Sequence, residues 1–162
     1  MAGFPKTEAT DRFWREFCGA TGIQADGYDV VSFGDTAAMA TELADLVVAG
    51  RKRATAGLLR QFGSDGEPLP VTGGYVVLVD GEARPRAIWR TTELRIGPLA
   101  SVDRQFAWDE GEGERTREWW LSAHRRFFER RAAVDGFRMH DDIETVFERF
   151  EVVWPLEIAD LR

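Results

Sequence analysis

Lys52 and Thr55 stand three residues apart in Gly50-Arg51-Lys52-Arg53-Ala54-Thr55-Ala56, an amine and a hydroxyl among small residues that leave room for a ligand. Lysine is a base only when its neutral form is accessible, and both burial and neighbouring positive charge, here Arg51 and Arg53, favour that form. A hydroxyl beside such a base becomes a usable nucleophile. On a regular strand, residues three apart point to opposite faces, so the pair cooperates only if a bulge or turn separates the two. The plainer alternative is a solvated basic turn.

A second segment, Phe106-Ala107-Trp108-Asp109-Glu110-Gly111-Glu112-Gly113-Glu114, separates its carboxylates with glycines, so that they can face a pocket. A carboxyl held in apolar surroundings near Trp108 would have a raised pKa and could shuttle a proton. Otherwise the run is an acidic helix start, favoured by the helix dipole; that reading suits Glu114 better than Glu110. Other residues of chemical type read more plainly. His124 sits among Trp120, Phe127 and Phe128, which is the setting of a structural imidazole. His140, Asp141 and Asp142 are neighbours in one loop and do not surround an ion unaided. Cys18 reads as a small buried hydrophobe, and Trp89 as core packing rather than a stacking platform. Glu148 shares a strand face with Val146, Phe150, Val152 and Trp154; it is either a buried carboxylate that needs partners or the point where that face turns to solvent.

These groups must be positioned by the surrounding elements. Thr10 can cap a helix with Phe13, Trp14 and Phe17 on one face and Gly19 as its stop. Asp35 or Thr36 opens a second helix, with Met39, Leu43, Leu46 and Val47 at helical spacing, closed by Gly50. Arg51 to Leu59 has no clear period and leads into the turn-rich Gly63, Ser64, Asp65, Gly66, Pro68 and Pro70. Tyr75–Val79 and Ala87–Ile96 read as strands joined by a tight Asp80-Gly81 turn. Ser101 can cap a short helix through Asp109. A further helix carries Trp120, Ala123, His124, Phe127 and Phe128 and ends before Asp135-Gly136. Thr145–Trp154 is a β-branched and aromatic strand stopped by Pro155. With no βαβ repetition, this order predicts an α+β fold, its scattered strands curling into a small barrel with helices outside.

At 162 residues the chain has the size of one domain. A formal charge of −7 makes it a poor partner for a long duplex nucleic acid. Local basic clusters remain: Arg51, Lys52 and Arg53, and also Arg125, Arg126, Arg130 and Arg131, the second reading as a solvated helix flank. One cysteine and no Cys/His cluster argue against a disulfide or zinc site. With neither a secretion signal nor a membrane-spanning apolar run, the expectation is a cytoplasmic protein away from membranes.

The Gly-Arg-Lys-Arg-Ala-Thr-Ala segment, the Glu-Gly-Glu-Gly-Glu run, Trp119 with His124 and Phe128, and Phe147-Glu148-Arg149-Phe150-Glu151-Val152-Val153 occur in an order that resembles the ASCH domain family. The resemblance runs from about Tyr28 to Trp154. It implies a PUA-like β-barrel with flanking helices over residues 28–155, preceded by a helical extension packed on it (1–27) and followed by a tail (156–162). The fold is associated with RNA, and the Lys-x-x-Thr segment lines its pocket. Some small bacterial members hydrolyse N4-acetylcytidine and related N4-acylcytosine nucleosides. Matched by motif, the resemblance implies Thr55 as nucleophile, Lys52 as base and Glu110 binding or protonating the leaving amine, without a metal or other cofactor. Arg51, Arg53, Trp108 and Glu112 are the accompanying candidates for substrate contact. The partner would be a small nucleoside or a short single-stranded RNA. A metal-independent ribonuclease on single-stranded RNA and a non-catalytic module for RNA or a modified base are the alternatives.

Overall fold

Thr7 and Thr10 begin the first helix together: the Thr7 hydroxyl accepts from the Thr10 amide, and the Thr10 hydroxyl accepts from the Thr7 amide. This reciprocal cap sets helix α1 at Glu8–Thr21, one turn earlier than a Thr10 cap would, and Gly22, not Gly19, ends it with φ at 73°. The computed structural model describes residues 2–63 and 66–160, so Ser64 and Asp65 of the expected turn, Met1 of the extension and Leu161 and Arg162 of the tail lie outside the described residues. The remaining elements are β1 (Ala2–Gly3), β2 (Asp29–Ser32), α2 (Ala37–Val48), β3 (Ala54–Leu58), β4 (Tyr75–Val79), β5 (Pro85–Pro98), α3 (Arg104–Glu110), α4 (Arg117–Asp135) and β6 (Glu144–Trp154). Thr36, Asp103 and Thr116 cap α2, α3 and α4 with their side-chain oxygens. Ser101 instead lies in a short 3-10 turn ahead of α3.

The strands form one sheet in the order β1-β2-β4-β5-β6-β3, antiparallel except for the β2–β4 pair. Register shifts between Ile88 and Trp89 and between Thr91 and Glu93 interrupt the long β5–β6 ladder, where extra residues bend a strand. The sheet accordingly curls through a half-barrel, and the fold is α+β, as the order of elements predicts. The β4–β5 connection is longer than a two-residue Asp-Gly turn. The Asp80 carboxylate accepts from the amides of Glu82 and Arg84, and Ala83 rather than Gly81 takes the left-handed conformation.

Alternation along β6 divides the core. Phe150 and Val152 pack on one face with Trp89, Phe33 and Val47 of α2; Phe147 and Val153 take the other. There Phe147 meets Phe106 of α3 and Trp120 and Phe128 of α4, while Val153 joins Phe17 of α1. Trp89 is stacked between Phe33 and Phe150, a core residue as its surroundings in the sequence suggest. Among the described residues no helix is long and apolar enough to cross a membrane.

Candidate active site

The Lys52 segment has no regular secondary structure, and that irregularity supplies the turn the Lys52–Thr55 pair requires. Gly50 leaves α2 with φ at 83°, the amides of Arg51 and Lys52 both bond to the Leu46 carbonyl, and the Arg53 amide bonds to the carbonyl of Asp109. The chain is thereby tied to the ends of α2 and α3 before β3 begins at Ala54. Lys52 and Thr55 line the same cavity, of about 270 Å³, between α2, α4 and the edge strand β3. Met39, Leu43, Trp119, Phe127 and Phe128 give it apolar walls.

Two glycines bring the carboxylates in. Gly111 closes α3 with φ at 74°, and a Cβ there would lie 2.3 Å from the Arg51 carbonyl oxygen. Gly113, with φ at 55°, passes so close to the Trp119 indole that a Cβ would come within 2.1 Å of it. Only glycine fits either position, and the turn they make aims Glu110 and Glu112 at one ammonium. Lys52 Nζ donates to Glu112 Oε2 at 2.8 Å and to Glu110 Oε1 at 3.3 Å, with the lysine side chain 1% exposed. Nζ also lies 5.1 Å from the centre of the Phe33 ring.

His124 completes the cluster. Its Nε2 lies 3.3 Å from Glu110 Oε1, its Nδ1 lies 2.8 Å from the Trp120 carbonyl, and its ring stacks on Trp120, whose indole N–H donates to Glu110 Oε2. Both neighbours of the imidazole are acceptors, an arrangement that favours a proton on each ring nitrogen, the imidazolium form. Burial opposes that charge, but the Glu110 carboxylate more than offsets it and holds the pKa of His124 above its ordinary value. The sequence setting of His124 suggested a structural role; the structure places it in the site. The available signal was its helical spacing, one turn after Trp120 and one before Phe128.

Charge states follow from these contacts. Burial disfavours the Lys52 ammonium, yet Glu112 and then Glu110 overcome it and raise the lysine pKa. This is the reverse of the lowering expected from Arg51 and Arg53, because those side chains point away and two carboxylates point in. Burial would likewise raise Glu110, but Lys52 and then His124 hold it well below the usual carboxylate range. For Glu112, burial and the nearby Glu110 charge outweigh Lys52, and its pKa is raised. Glu110, Glu112 and His124 bring donor atoms within 4.8 Å of one another, a set chemically able to ligate a cation, and the Lys52 ammonium now bonds to both carboxylates.

The Thr55 hydroxyl makes no hydrogen bond to any described residue, Lys52 included, and is free to meet a ligand in the cavity. The other candidates lie elsewhere. Arg51 donates to the carbonyls of Gly111 and Gly113, so it clamps the glycine turn from outside. Arg53 is held by Asp160 and by the carbonyls of Val47 and Lys52. Trp108 is 52% exposed, stacked under Arg115 and absent from the cavity wall. The sequence missed the cavity's Phe33, and Arg126 and Arg130, read there as a solvated helix flank, line the cavity. A larger hollow of about 930 Å³ adjoins at Phe33, Gly34 and Phe127 but includes none of the Lys52 cluster.

Glu148 is buried, the first of the two readings its sequence position allowed. Its Cα pairs with that of Thr55 across the β3–β6 ladder, and its Oε2 accepts from Trp89 Nε1 at 3.0 Å and Thr91 Oγ1 at 2.7 Å. Burial pushes its pKa up to about 7, against the pull of those two hydrogen bonds.

Comparison with known proteins agrees with this architecture. The family model for the ASCH domain matches residues 29–154. The crystal structure of an ASCH domain from Lactobacillus crispatus JV V101 is 27% identical with a TM-score of 0.81, covering 91% of this chain and 95% of that one. A protein of Enterococcus faecalis V583 is 36% identical with a TM-score of 0.79, covering 88% of this chain and 86% of that one. No curated protein matches the chain.

Proposed function

The chain belongs to the ASCH domain family, and on that basis we propose that it is a hydrolase that cleaves the N4-acyl amide of a cytosine nucleoside, taking up water and releasing the free amine and a carboxylic acid. The observation that carries this reading is the convergence of Lys52, Thr55, Glu110 and Glu112 on one cavity of about 270 Å³ with apolar walls. That volume is at the small end for ligand pockets and suits a nucleobase with a short acyl group.

The charge states constrain the roles. Glu110 is ionised and already anchored by Trp120 and His124, so it accepts a hydrogen bond from the cytosine N4–H rather than donating a proton. Glu112 is the carboxylate with the raised pKa, and it touches Lys52. A ligand that displaces water from the cavity penalises the charged Lys52–Glu112 pair and favours transfer of one proton from Nζ to the carboxylate. Neutral Lys52 then takes the Thr55 proton as its oxygen attacks the acyl carbon. Collapse of the tetrahedral adduct breaks the C–N bond, and protonated Glu112 supplies the proton that the departing nitrogen takes up. Water then cleaves the threonine ester, its proton returning through the same pair.

Release of cytidine from N4-acetylcytidine by the pure protein is the expected result. Thr55→Val keeps the shape of the side chain and should lower turnover by at least about 100-fold. Absence of release from several N4-acylcytidines by the folded wild type would refute the hydrolase reading. For the ribonuclease alternative, Arg51 and Arg53 offer no free phosphate ligand, being committed to protein carbonyls and to Asp160.

A further inference from the structure

The second basic cluster, Arg125, Arg126, Arg130 and Arg131, is split by the structure into two pairs. Arg125 makes two bonds to Asp141, at 2.9 and 2.8 Å, and Arg131 reaches Asp135 at 3.1 Å. These two are neutralised within the protein and do not line the Lys52 cavity. Arg126 and Arg130 do line it, one helical turn apart on α4. Arg126 bonds only to the neutral Ser122 hydroxyl, at 2.6 Å, with no carboxylate in ion-pairing range among the described residues. Arg130 faces Asp35 at 3.8 Å, a loose and solvated pair that another anion can replace.

The charged groups of the cavity are thus layered. Its buried part holds Lys52, Glu110, Glu112 and His124, whose charges largely cancel; its exposed residues include two guanidinium groups with little to neutralise them. A floor of donors and acceptors suits an uncharged heterocycle, and a cationic rim suits an anion carried outside it. With a base against the buried floor, a phosphate attached to its sugar lies toward the exposed part of the cavity, where Arg126 and Arg130 stand. Arginine recognises such an oxyanion by paired, charge-assisted hydrogen bonds.

We infer that Arg126 and Arg130 form a phosphate subsite, so that the ligand of this cavity is a nucleoside monophosphate rather than the bare nucleoside. The inference rests on the cytosine-nucleoside reading of the floor, but binding, unlike turnover, tests it without requiring any catalytic step. Calorimetric titration of the full chain with cytidine, cytidine 5′-monophosphate and cytidine 3′-monophosphate is the experiment. At least one monophosphate should bind about 10-fold more tightly than cytidine, as expected for one or two hydrogen bonds to a charged group. The preference should shrink with added salt. In the Arg126→Ala/Arg130→Ala double variant the ratio should fall to near one, while Arg125→Ala/Arg131→Ala should leave it in place.

Cytidine binding with no preference for either monophosphate would overturn the subsite and leave the hydrolase reading intact. Binding of neither cytidine nor its phosphates would overturn both. Tighter binding of a short single-stranded RNA than of either monophosphate, lost in the Arg126/Arg130 variant, would overturn the free nucleotide as ligand and assign the phosphate to an RNA chain.

Discussion

Glu110 and Glu148 are each 2% exposed, each bonded by an indole N–H, and driven in opposite directions. Glu110 has a cation on both flanks, Lys52 and the His124 imidazolium, and stays ionised despite burial. Glu148 has an indole and a hydroxyl as its bonded partners, and burial carries it to about 7. Burial sets the cost of the charge, and the formal charge of the partner decides whether that cost is met. A hydrogen-bond donor without charge is not enough, even when two of them converge on one oxygen. The fold thereby keeps two buried carboxylates of different acidity near Thr55, Glu148 paired with it across the β3–β6 ladder and Glu110, the ionised one, facing the cavity that Thr55 lines.

Removing the lysine breaks the comparison most severely. In Lys52→Met, Glu110 and Glu112 are left buried without their main cation, at a cost of about 3–5 kcal/mol in unfolding free energy at pH 7. Glu110 should then behave more like Glu148. With a folded pKa below the unfolded value, wild-type Glu110 contributes stability that is present above about pH 4.5 and lost as pH falls through the folded pKa. The variant should show much less of this acid loss in urea unfolding between pH 3 and 7, and turnover should fall by at least about 1000-fold. A variant as stable and as acid-sensitive as wild type would show that Lys52 is not the counterion of Glu110.

The pairing on which that prediction depends was not legible in the sequence. Lys52 and Glu110 are 58 residues apart, and the neighbours visible from the sequence, Arg51 and Arg53, implied a lowered lysine pKa. Side-chain direction decided the sign, and direction depends on a glycine turn packed against Trp119. By contrast, β4 and β5 declared themselves through β-branched and aromatic runs on either side of a turn, although Asp80 and Ala83 built a longer turn than Asp-Gly alone implies. β3 was invisible because Ala-Thr-Ala-Gly-Leu is buried on both faces and contains little of high β-propensity, so it shows neither alternation nor composition. β2, only four residues long, falls below the length at which a period can be read. The closing strand and the α4 face carried enough aromatic residues to be seen, and the family motifs then brought Lys52, Thr55 and Glu110 together before any geometry did.

Glu148→Gln tests the other side of the comparison. Between pH 4.5 and about 7 the unfolded chain loses this proton while the folded protein keeps it, so the folded state binds more protons and wild-type stability falls as pH rises. At about 1.4 kcal/mol for each pH unit, the loss reaches roughly 3 kcal/mol by neutral pH. Glutamine retains an oxygen for Trp89 and Thr91 but does not titrate. The stability of Glu148→Gln relative to wild type should therefore rise by that amount between pH 4.5 and 7 and level off above. Comparing the two proteins cancels the slopes that His124 and Glu112 contribute to both. A difference that stays flat with pH would mean that Glu148 is ionised in the fold, and the contrast with Glu110 would collapse.

The smallest and sharpest test removes the same group from both carboxylates. Trp120→Phe and Trp89→Phe each delete one indole N–H and the same ring volume, so their packing costs are similar in kind. Glu110 is ionised throughout the neutral range, and the cost of Trp120→Phe should be constant between pH 5.5 and 8.5. Glu148 changes from neutral to charged across pH 7, and a hydrogen bond to a charged acceptor contributes about 1 kcal/mol more than one to a neutral acceptor. Trp89→Phe should therefore become more destabilising by about 1 kcal/mol as pH passes through neutrality, because the lost donor favoured the carboxylate over the acid. Urea unfolding of the two variants beside wild type at pH 5.5 and 8.5 reads this difference directly. Equal pH dependence in the two would place the same charge on both carboxylates, and the charge of the partner would no longer explain how the fold tells them apart.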